Sequence, residues 1–220
     1  SSPGGPAARF RRGTKVKTIL VDVDDTLYPR GTGPFAQVNR MIDEYVMSRC
    51  GLDAGGAKAL RRGYIDAYGS TLGGLMKHHG VDPGHYLAFV HDVPVEELLG
   101  RDDRLRSVLS GIESELVIFS NGSREYVERV LGALGVSRFF RDFFTIEFMD
   151  YIPKPREYPY RKVMELYGRS PGDFVLVDDR LPNVRTALAL GMEAVLVGTG
   201  QEARDALIIP DIYDISRVVS

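Results

Sequence analysis

The sequence lacks the features that mark several large classes of protein. It contains one cysteine, Cys50, so no disulfide can form within the chain, which fits a reducing compartment and leads us to expect a cytoplasmic protein. No apolar run approaches the roughly 20 residues of a membrane helix, so no membrane partner is expected. Its 28 basic and 30 acidic residues give a net charge of −2, which gives no indication of a nucleic-acid polymer as partner.

What the sequence does contain is an alternation of strand and helix patterns. Short apolar runs predict strands at 16–23, 115–120, 143–146, 174–178 and 194–197, and amphipathic stretches predict helices at 124–134, 157–167 and 181–190. Strands alternating with helices of this length indicate a parallel sheet with right-handed crossovers, so the predicted fold is α/β with a Rossmann-like core.

One long segment breaks the alternation. Between positions 34 and 99, apolar residues recur at helical spacing and no strand-like run occurs. This pattern predicts an inserted all-helical cap of about four helices. We therefore expect a disordered arm at 1–13, a Rossmann-like core formed by 14–33 and 100–220, and a cap domain at 34–99.

Polar groups follow the predicted strands in chain order. Asp22 and Asp24 end the first strand, Ser120-Asn121-Gly122 ends the second, Lys154 lies in a loop after the third, and Asp178-Asp179 ends the fourth. The carboxyl ends of parallel strands share one edge of the sheet, where ligands bind, so these groups are expected to converge. Each group alone is more often a turn, a helix cap or solvated surface, and the argument depends on all of them occurring in order.

Together these residue types suit phosphoryl transfer. Asp22, Asp24 and Asp179 offer the hard oxygen ligands that Mg²⁺ prefers. One carboxylate can attack phosphorus to give an aspartyl-phosphate, and a second can protonate the leaving oxygen and then activate water. Ser120 and Lys154 can hold the phosphoryl oxygens, and backbone N–H groups at Asn121 and Gly122 would add donors.

These motifs resemble the four motifs of the haloacid dehalogenase superfamily over about residues 16–198. The resemblance is carried by Asp22-Val23-Asp24-Asp25-Thr26-Leu27, Ser120, Lys154-Pro155 and Asp178-Asp179. It implies that Asp22 is the nucleophile and Asp24 the general acid and base. It also implies that Mg²⁺ is held by the side chains of Asp22 and Asp179 and by the backbone carbonyl of Asp24.

The same resemblance assigns lesser roles to other residues. Thr26 would shape the turn and belong to the substrate-binding set. Asp178 occupies a place that is often glycine in relatives, and Asn183 a place where some relatives carry another acid, so both are expected to support the ligands from behind. Dehalogenating members lack an acid at the position of Asp24, and this favours a phosphatase.

A narrower resemblance concerns the cap. Asp24–Pro29, Tyr68–Leu75 and Tyr86–His91 are similar to segments of pyrimidine 5′-nucleotidases. This implies a pyrimidine nucleoside 5′-monophosphate as substrate, with Ser70 and Thr71 offering donors to the ribose or base. It is equally open that Ser70 or Thr71 is only a helix N-cap.

Other interpretations remain at this stage. The ester could be a sugar phosphate or phosphoglycolate, the enzyme could be a phosphomutase, or the protein could be a non-catalytic regulatory relative that binds phosphate. A response-regulator-like phosphoacceptor is disfavoured by the long cap and by the position of the acid pair. The expected partner is a small phosphate ester, and the chain is expected to be a monomer or a homodimer.

Overall fold

The computed structural model describes residues 17–200 and 206–219, so the predicted arm at 1–13 lies outside the described residues. Six parallel strands form one sheet in the order β3-β2-β1-β4-β5-β6. They are β1 (Thr18–Val21), β2 (Glu115–Phe119), β3 (Phe140–Phe144), β4 (Phe174–Asp178), β5 (Glu193–Val197) and β6 (Leu207–Ile209). This arrangement confirms the predicted Rossmann-like α/β class.

The sheet is buried on both faces, which explains why its strands are continuous apolar runs. Ile19 and Val21 of β1 face one side and join a cluster with Val127 of the helix after β2. Leu20 faces the other side and clusters with Val163 and Val184, which lie in the two helices that flank β4 along the chain. Successive side chains of a strand point to opposite faces, so a strand covered on both sides carries no polar alternation.

Ten helices are described in residues 17–200 and 206–219. They are α1 (Phe35–Cys50), α2 (Ala54–Tyr68), α3 (Thr71–His79), α4 (Pro83–Val90), α5 (Val95–Leu98), α6 (Asp103–Ser110), α7 (Arg124–Leu134), α8 (Glu157–Tyr167), α9 (Leu181–Ala189) and α10 (Ser216–Val219). The first four lie between β1 and β2 and are called the cap helices below. No described helix is long and apolar enough to cross a membrane.

The cap helices begin and end through local chemistry. Asp53, Ser70 and Asp82 accept hydrogen bonds from backbone N–H groups in the first turns of α2, α3 and α4. Helices α1, α2 and α3 each end at a glycine with positive φ, which has no Cβ to oppose the left-handed conformation. These local signals explain why the sequence pattern located the helices well. The division into core and cap domains stays a prediction.

The sequence pattern located some elements incompletely and others not at all. Strand β3 begins at Phe140 instead of 143, because it is an edge strand that carries the charged residues Arg141 and Asp142, which obscure an apolar pattern. Strand β6 was not predicted because it has three residues. Helix α6 was not predicted because charged residues dominate its first turn, although Asp102 caps it by accepting a bond from Leu105 N at 2.8 Å.

Sheet topology determines where a ligand can bind. The chain moves outward from β1 to β2 and β3, then returns to the other side of β1 with β4. The boundary between β1 and β4 is therefore the topological switch point, where a crevice opens beyond the carboxyl ends of the strands. Asp22 follows β1 and Asp179 follows β4 directly, so both residues stand at that crevice.

Candidate active site

A buried ion cluster lies at the carboxyl ends of β1 and β4. The Lys154 ammonium donates to Asp22 Oδ1 at 2.9 Å, to Asp178 Oδ2 at 2.7 Å and to the Phe119 carbonyl at 2.6 Å. Lys154, Asp22 and Asp178 are all buried. The three N–H donors of the ammonium are therefore all used, and one cation serves two carboxylates.

Electrostatics in this cluster leave Asp22 short of positive charge. Burial, reinforced by Asp178 and Asp179, outweighs the attraction of Lys154 and raises the pKa of Asp22 to about 8. Burial also opposes the charge of Lys154, but Asp178 and Asp22 outweigh it and raise the pKa of the ammonium above its ordinary value. Lys154 is therefore held charged, whereas Asp22 needs a further cation to be fully ionised at neutral pH.

Thr26 links the two acids at the switch point. Its hydroxyl donates to Asp22 Oδ2 at 3.2 Å and accepts from the backbone N–H of Asp179 at 3.1 Å. The side chain is buried and bridges Asp22 and Asp179, while its predicted place in the substrate-binding set stays a prediction. Asp179 also receives an ion pair from Arg30, at 2.5 Å, which the sequence had not singled out.

The residues after β2 are tied to the Lys154 loop. Asn121 accepts from Lys154 N at 2.9 Å through Oδ1 and donates to the Lys154 carbonyl at 3.0 Å through Nδ2. Its side chain thus fixes the loop that carries the ammonium. Gly122 N donates to Ser120 Oγ at 3.0 Å, so this predicted phosphate donor is engaged by Ser120. Ser120, Asn121 and Gly122 all line the cavity.

Asp24 stands apart from the ion cluster. Its Oδ1 accepts hydrogen bonds from the Tyr28 hydroxyl and from the Tyr126 hydroxyl, the latter at 2.7 Å. Burial raises the pKa of Asp24 to about 6, although both tyrosine hydrogen bonds oppose the shift. A carboxyl group with this pKa can give up or accept a proton near neutral pH, as a general acid and base must.

The acidic residues fit a hard divalent cation. Carboxylate oxygens of Asp22, Asp178 and Asp179 lie within 4.8 Å of one another. Among the described residues, the buried Asn183 Oδ1 has no hydrogen-bond partner, while its Nδ2 donates to both oxygens of Asp178 at 3.0 and 2.9 Å. An amide oxygen in that situation suits a metal ion or its bound water. Asp178 thus lies within the acidic cluster itself. The backbone carbonyl of Asp24, which the resemblance implies as a further metal ligand, stays a prediction.

A cavity of about 600 Å³ connects these residues with the cap helices. On the core side it is lined by Asp22, Asp24, Ser120 and Asp179; on the cap side by Asn39, Arg61, Ser70, Thr71 and Tyr86. Ser70 is the N-cap of α3, accepting from Gly73 N at 3.0 Å, so its hydroxyl has a structural partner as well as a place at the cavity. Thr71 is buried in the first turn of the same helix.

The order of these motifs along the chain can be compared with known proteins. The family model for haloacid dehalogenase-like hydrolases matches residues 16–191, which include every residue of the candidate active site described above. The chain belongs to this family. The matched segment also contains all four cap helices, so this haloacid dehalogenase-like hydrolase carries its inserted helices within the family region.

A curated relative is phosphate metabolism protein 8 of Saccharomyces cerevisiae. The two are 25% identical over an alignment of 195 residues, and the match covers 82% of this chain and 61% of the yeast protein. The chain therefore spans about three fifths of the yeast protein's length.

Solved structures agree on the fold. The magnesium-bound hydrolase YfnB of Bacillus subtilis has 17% identity and a TM-score of 0.61, covering 92% of this chain and 98% of its own. A phosphatase of the family from Thermococcus onnurineus has 21% identity and a TM-score of 0.57, covering 91% and 96%. L-2-haloacid dehalogenase of Xanthobacter autotrophicus has 15% identity and a TM-score of 0.56, covering 92% and 97%. Phosphatases and dehalogenases share this fold, so it does not choose between the two reactions.

Sequence reasoning missed three side chains that this hydrolase brings to the site. Tyr28 and Arg30 lie in the connection between β1 and α1, and Tyr126 lies in α7. Tyr126 occupies an apolar position of an amphipathic helix, so its spacing indicated only core packing. Its hydroxyl reaches Asp24 across 102 positions of sequence, and a contact of that kind has no local signal.

Proposed function

We propose that this protein is a Mg²⁺-dependent phosphatase that hydrolyses a small phosphate monoester through an aspartyl-phosphate at Asp22. The observation that carries the proposal is a second carboxyl group at the same cavity, Asp24, held by two tyrosine hydroxyls with a pKa of about 6. A poor leaving group such as an alkoxide needs a proton donor, whereas halide departure does not.

The proposed reaction has two displacements. An Asp22 carboxylate oxygen attacks phosphorus, the bond between phosphorus and the ester oxygen breaks, and Asp24 gives its proton to that oxygen. A water molecule then loses a proton to Asp24 and attacks phosphorus, and the bond between Asp22 and phosphorus breaks to release inorganic phosphate. Ser120 lies at the cavity beside Asp22, and Lys154 supplies a fixed positive charge next to the attacking carboxylate.

Asp22, Asp178, Asp179 and the Asn183 amide oxygen are the groups that would hold Mg²⁺. When bound, the ion supplies positive charge that favours ionised Asp22 and offsets the negative charge of the phosphate. Thr26 keeps Asp22 and Asp179 in register through its two hydrogen bonds. The magnesium described for YfnB and the phosphatase activity described for the Thermococcus protein belong to those proteins, and they support the proposal as family precedents.

The preferred substrate is proposed to be a pyrimidine nucleoside 5′-monophosphate. The cap side of the cavity joins apolar side chains, including Phe35 and Tyr86, to a polar pair in which Arg61 donates to the Asn39 backbone and side-chain oxygens at 3.0 and 2.9 Å. A nucleobase has apolar faces and a polar edge, so it suits such a wall better than a uniformly hydroxylated sugar does. A sugar phosphate or phosphoglycolate is the second candidate.

Phosphate release from a panel of esters tests the proposal. Uridylate, cytidylate, phosphoglycolate and sugar phosphates are incubated with wild-type protein in Mg²⁺ or in chelator. Because the nucleophile is lost, Asp22→Asn is expected to reduce release at least about 10⁴-fold. Asp66→Asn is the control, since it removes an exposed carboxylate from α2.

The outcomes separate the alternatives. Metal-dependent release that Asp66→Asn keeps and Asp22→Asn loses supports the mechanism, and the ester with the highest kcat/KM identifies the substrate class. Release by Asp22→Asn at the wild-type rate would exclude Asp22 as nucleophile. Folded wild-type protein that releases phosphate from no ester in Mg²⁺ would favour a non-catalytic phosphate-binding relative.

A further inference from the structure

A histidine at the end of the cap helices packs on the ring of one of the two tyrosines that donate hydrogen bonds to Asp24. His91 follows α4, and its imidazole is stacked on Tyr126 with ring centroids 4.4 Å apart and ring planes 10° from parallel. Its Nδ1 forms a hydrogen bond of 2.9 Å with Ser123 Oγ, from the N-cap of α7. The imidazole is therefore fixed both by its face and by its edge.

The stacked tyrosine is one of the two donors to Asp24. Tyr126 is almost fully buried, and its hydroxyl donates to Asp24 Oδ1 at 2.7 Å. Two chain-distant contacts thus form a continuous path from Ser123 and His91 through the Tyr126 ring to Asp24. Tyr28, the other donor to Asp24, lies only four residues further along the same connection.

The backbone at His91 is anchored as well. Arg129 of α7 donates to the His91 carbonyl at 3.3 Å and to the Val93 carbonyl at 2.8 Å, and it pairs with Glu96 at 2.8 Å. This places His91 at the point where the chain leaves the cap helices and is clamped to α7. A change in the position of α4 relative to α7 would therefore move the imidazole against Tyr126.

We infer that His91 is a positioning residue that orients the Asp24 carboxyl group through the ring of Tyr126. The inference rests on the proposed function, because it concerns the residue proposed as general acid. Removing the imidazole opens space against one face of Tyr126, and the ring can then relax away from Asp24. The Tyr28 hydrogen bond remains, so the loss of acid catalysis is expected to be partial.

Leaving-group dependence distinguishes this role from a general structural one. An alkyl ester such as a nucleoside monophosphate needs protonation of its leaving oxygen, whereas 4-nitrophenyl phosphate releases a stabilised phenolate. For His91→Ala we expect kcat to fall about 10–100-fold for the alkyl ester and less than about 3-fold for the aryl ester, with KM little changed, since general acid catalysis contributes about 10²–10⁴-fold in full. His91→Phe, which keeps a ring against Tyr126, should recover most of the alkyl-ester rate.

A matched control exists within the cap. His78 stacks on Tyr64 with centroids 5.5 Å apart and planes at 9°, and it bonds the Tyr68 hydroxyl at 2.6 Å, but it does not line the cavity. His78→Ala should lower kcat equally for both esters or for neither. Equal losses for both esters in His91→Ala, or the same selective loss in His78→Ala, would overturn the inference. A rise in KM at unchanged kcat would instead make His91 a substrate contact and also overturn it.

Crystal structures of wild type and His91→Ala test the inference independently of catalytic activity. If wild-type protein hydrolyses no ester, the proposed function fails, while the positioning of Asp24 can still be compared between wild type and His91→Ala. We expect the distance from the Tyr126 hydroxyl to Asp24 to grow from 2.7 Å to beyond hydrogen-bond range, about 3.5 Å. An unchanged Tyr126 and Asp24 in the variant would overturn the inference.

Discussion

The two walls of the cavity hold their polar groups in different ways. On the core wall, Asp22 lines the cavity and is bound by Lys154, which lies behind it and also binds Asp178. All three side chains are buried, so the two carboxylates depend on the same cation for compensation of their charge. On the cap wall, Arg61 and Asp43 form an ion pair at 2.5 Å, with side chains 15% and 24% exposed. A buried charge without a partner is costly, whereas a partly exposed one is screened by water.

This difference suggests separate roles for the two walls. The core wall tolerates little change because every substitution leaves a buried group without its partner. The cap wall can change its polar residues at lower cost, because its charged side chains are partly exposed. Substitutions in the core cluster, in the packing of the cap helices and at the contact that joins the two walls test this difference.

The largest effect is expected from Lys154→Met. The substitution leaves the carboxylates of Asp22 and Asp178 buried without their cation, so we expect unfolding free energy to fall by about 3–5 kcal/mol at neutral pH. The loss should shrink as pH falls below about 8, because protonation of Asp22, whose pKa burial raises to about 8, removes part of the uncompensated negative charge. Urea unfolding at several pH values measures both effects.

Lys162→Met is the matched control for the core cluster. Lys162 pairs with a single carboxylate, that of Asp150 at 2.6 Å, and this carboxylate is exposed. We expect this variant to lose less than about 1 kcal/mol. Similar losses in the two lysine variants would show that burial does not determine the cost of removing a lysine from its carboxylate partners.

Cap packing can be tested at one glycine of α3. A Cβ at Gly74 would lie 2.1 Å from Tyr64 Cγ, and the Tyr64 ring is itself held by stacking on His78. Gly74→Ala should therefore force α2 and α3 apart and cost about 2–3 kcal/mol. Thermal unfolding and near-ultraviolet circular dichroism of the tyrosines would report the change.

Gly63→Ala provides the control on the neighbouring helix. Nothing lies within 4 Å of a Cβ built at Gly63, in the middle of α2. Replacing it should stabilise the protein by about 0.5–1 kcal/mol through the lower entropy of the unfolded chain. A Gly74→Ala protein as stable as Gly63→Ala would show that the contact between α2 and α3 is loose.

The same division between core and cap determines what could be read from the sequence. Asp22 and Asp179 were identifiable because each is at the end of a buried strand, and Lys154 because it lies in the loop after the next strand in the chain order of the motifs; the fold then brings the strand ends together. Partners such as Tyr126 and His91 were not identifiable, since their role comes from side-chain contacts between helix α7 and the end of α4. Local pattern located the cap helices but could not show which of their faces line the cavity.

The contact between the walls gives the smallest predicted effect, a pH dependence of stability. Burial, with the nearby charge of Arg129, lowers the pKa of His91 from 6.5 to about 4, so the folded state favours the neutral imidazole. Arg129, Glu125 and Asp92 line the small cavity beside it. The unfolded chain binds the proton more readily than the folded protein between these pKa values. The stability associated with neutral His91 is therefore complete above about pH 6.5 and is lost as pH falls toward 4.

Each pKa unit corresponds to about 1.4 kcal/mol, and partial exposure of the imidazole reduces the total, so we expect a loss of about 2 kcal/mol. Urea unfolding of wild type and His91→Gln between about pH 7.5 and 4 measures it, and the glutamine variant should lack this part of the pH dependence. His85→Gln serves as the control for removing a histidine of α4 that packs against Tyr45 instead of Tyr126. If wild type and His91→Gln have parallel stability curves, the imidazole takes up a proton without leaving its place on Tyr126. The core and cap walls would then be joined by packing that tolerates charge, and the orientation of Asp24 would persist at acidic pH.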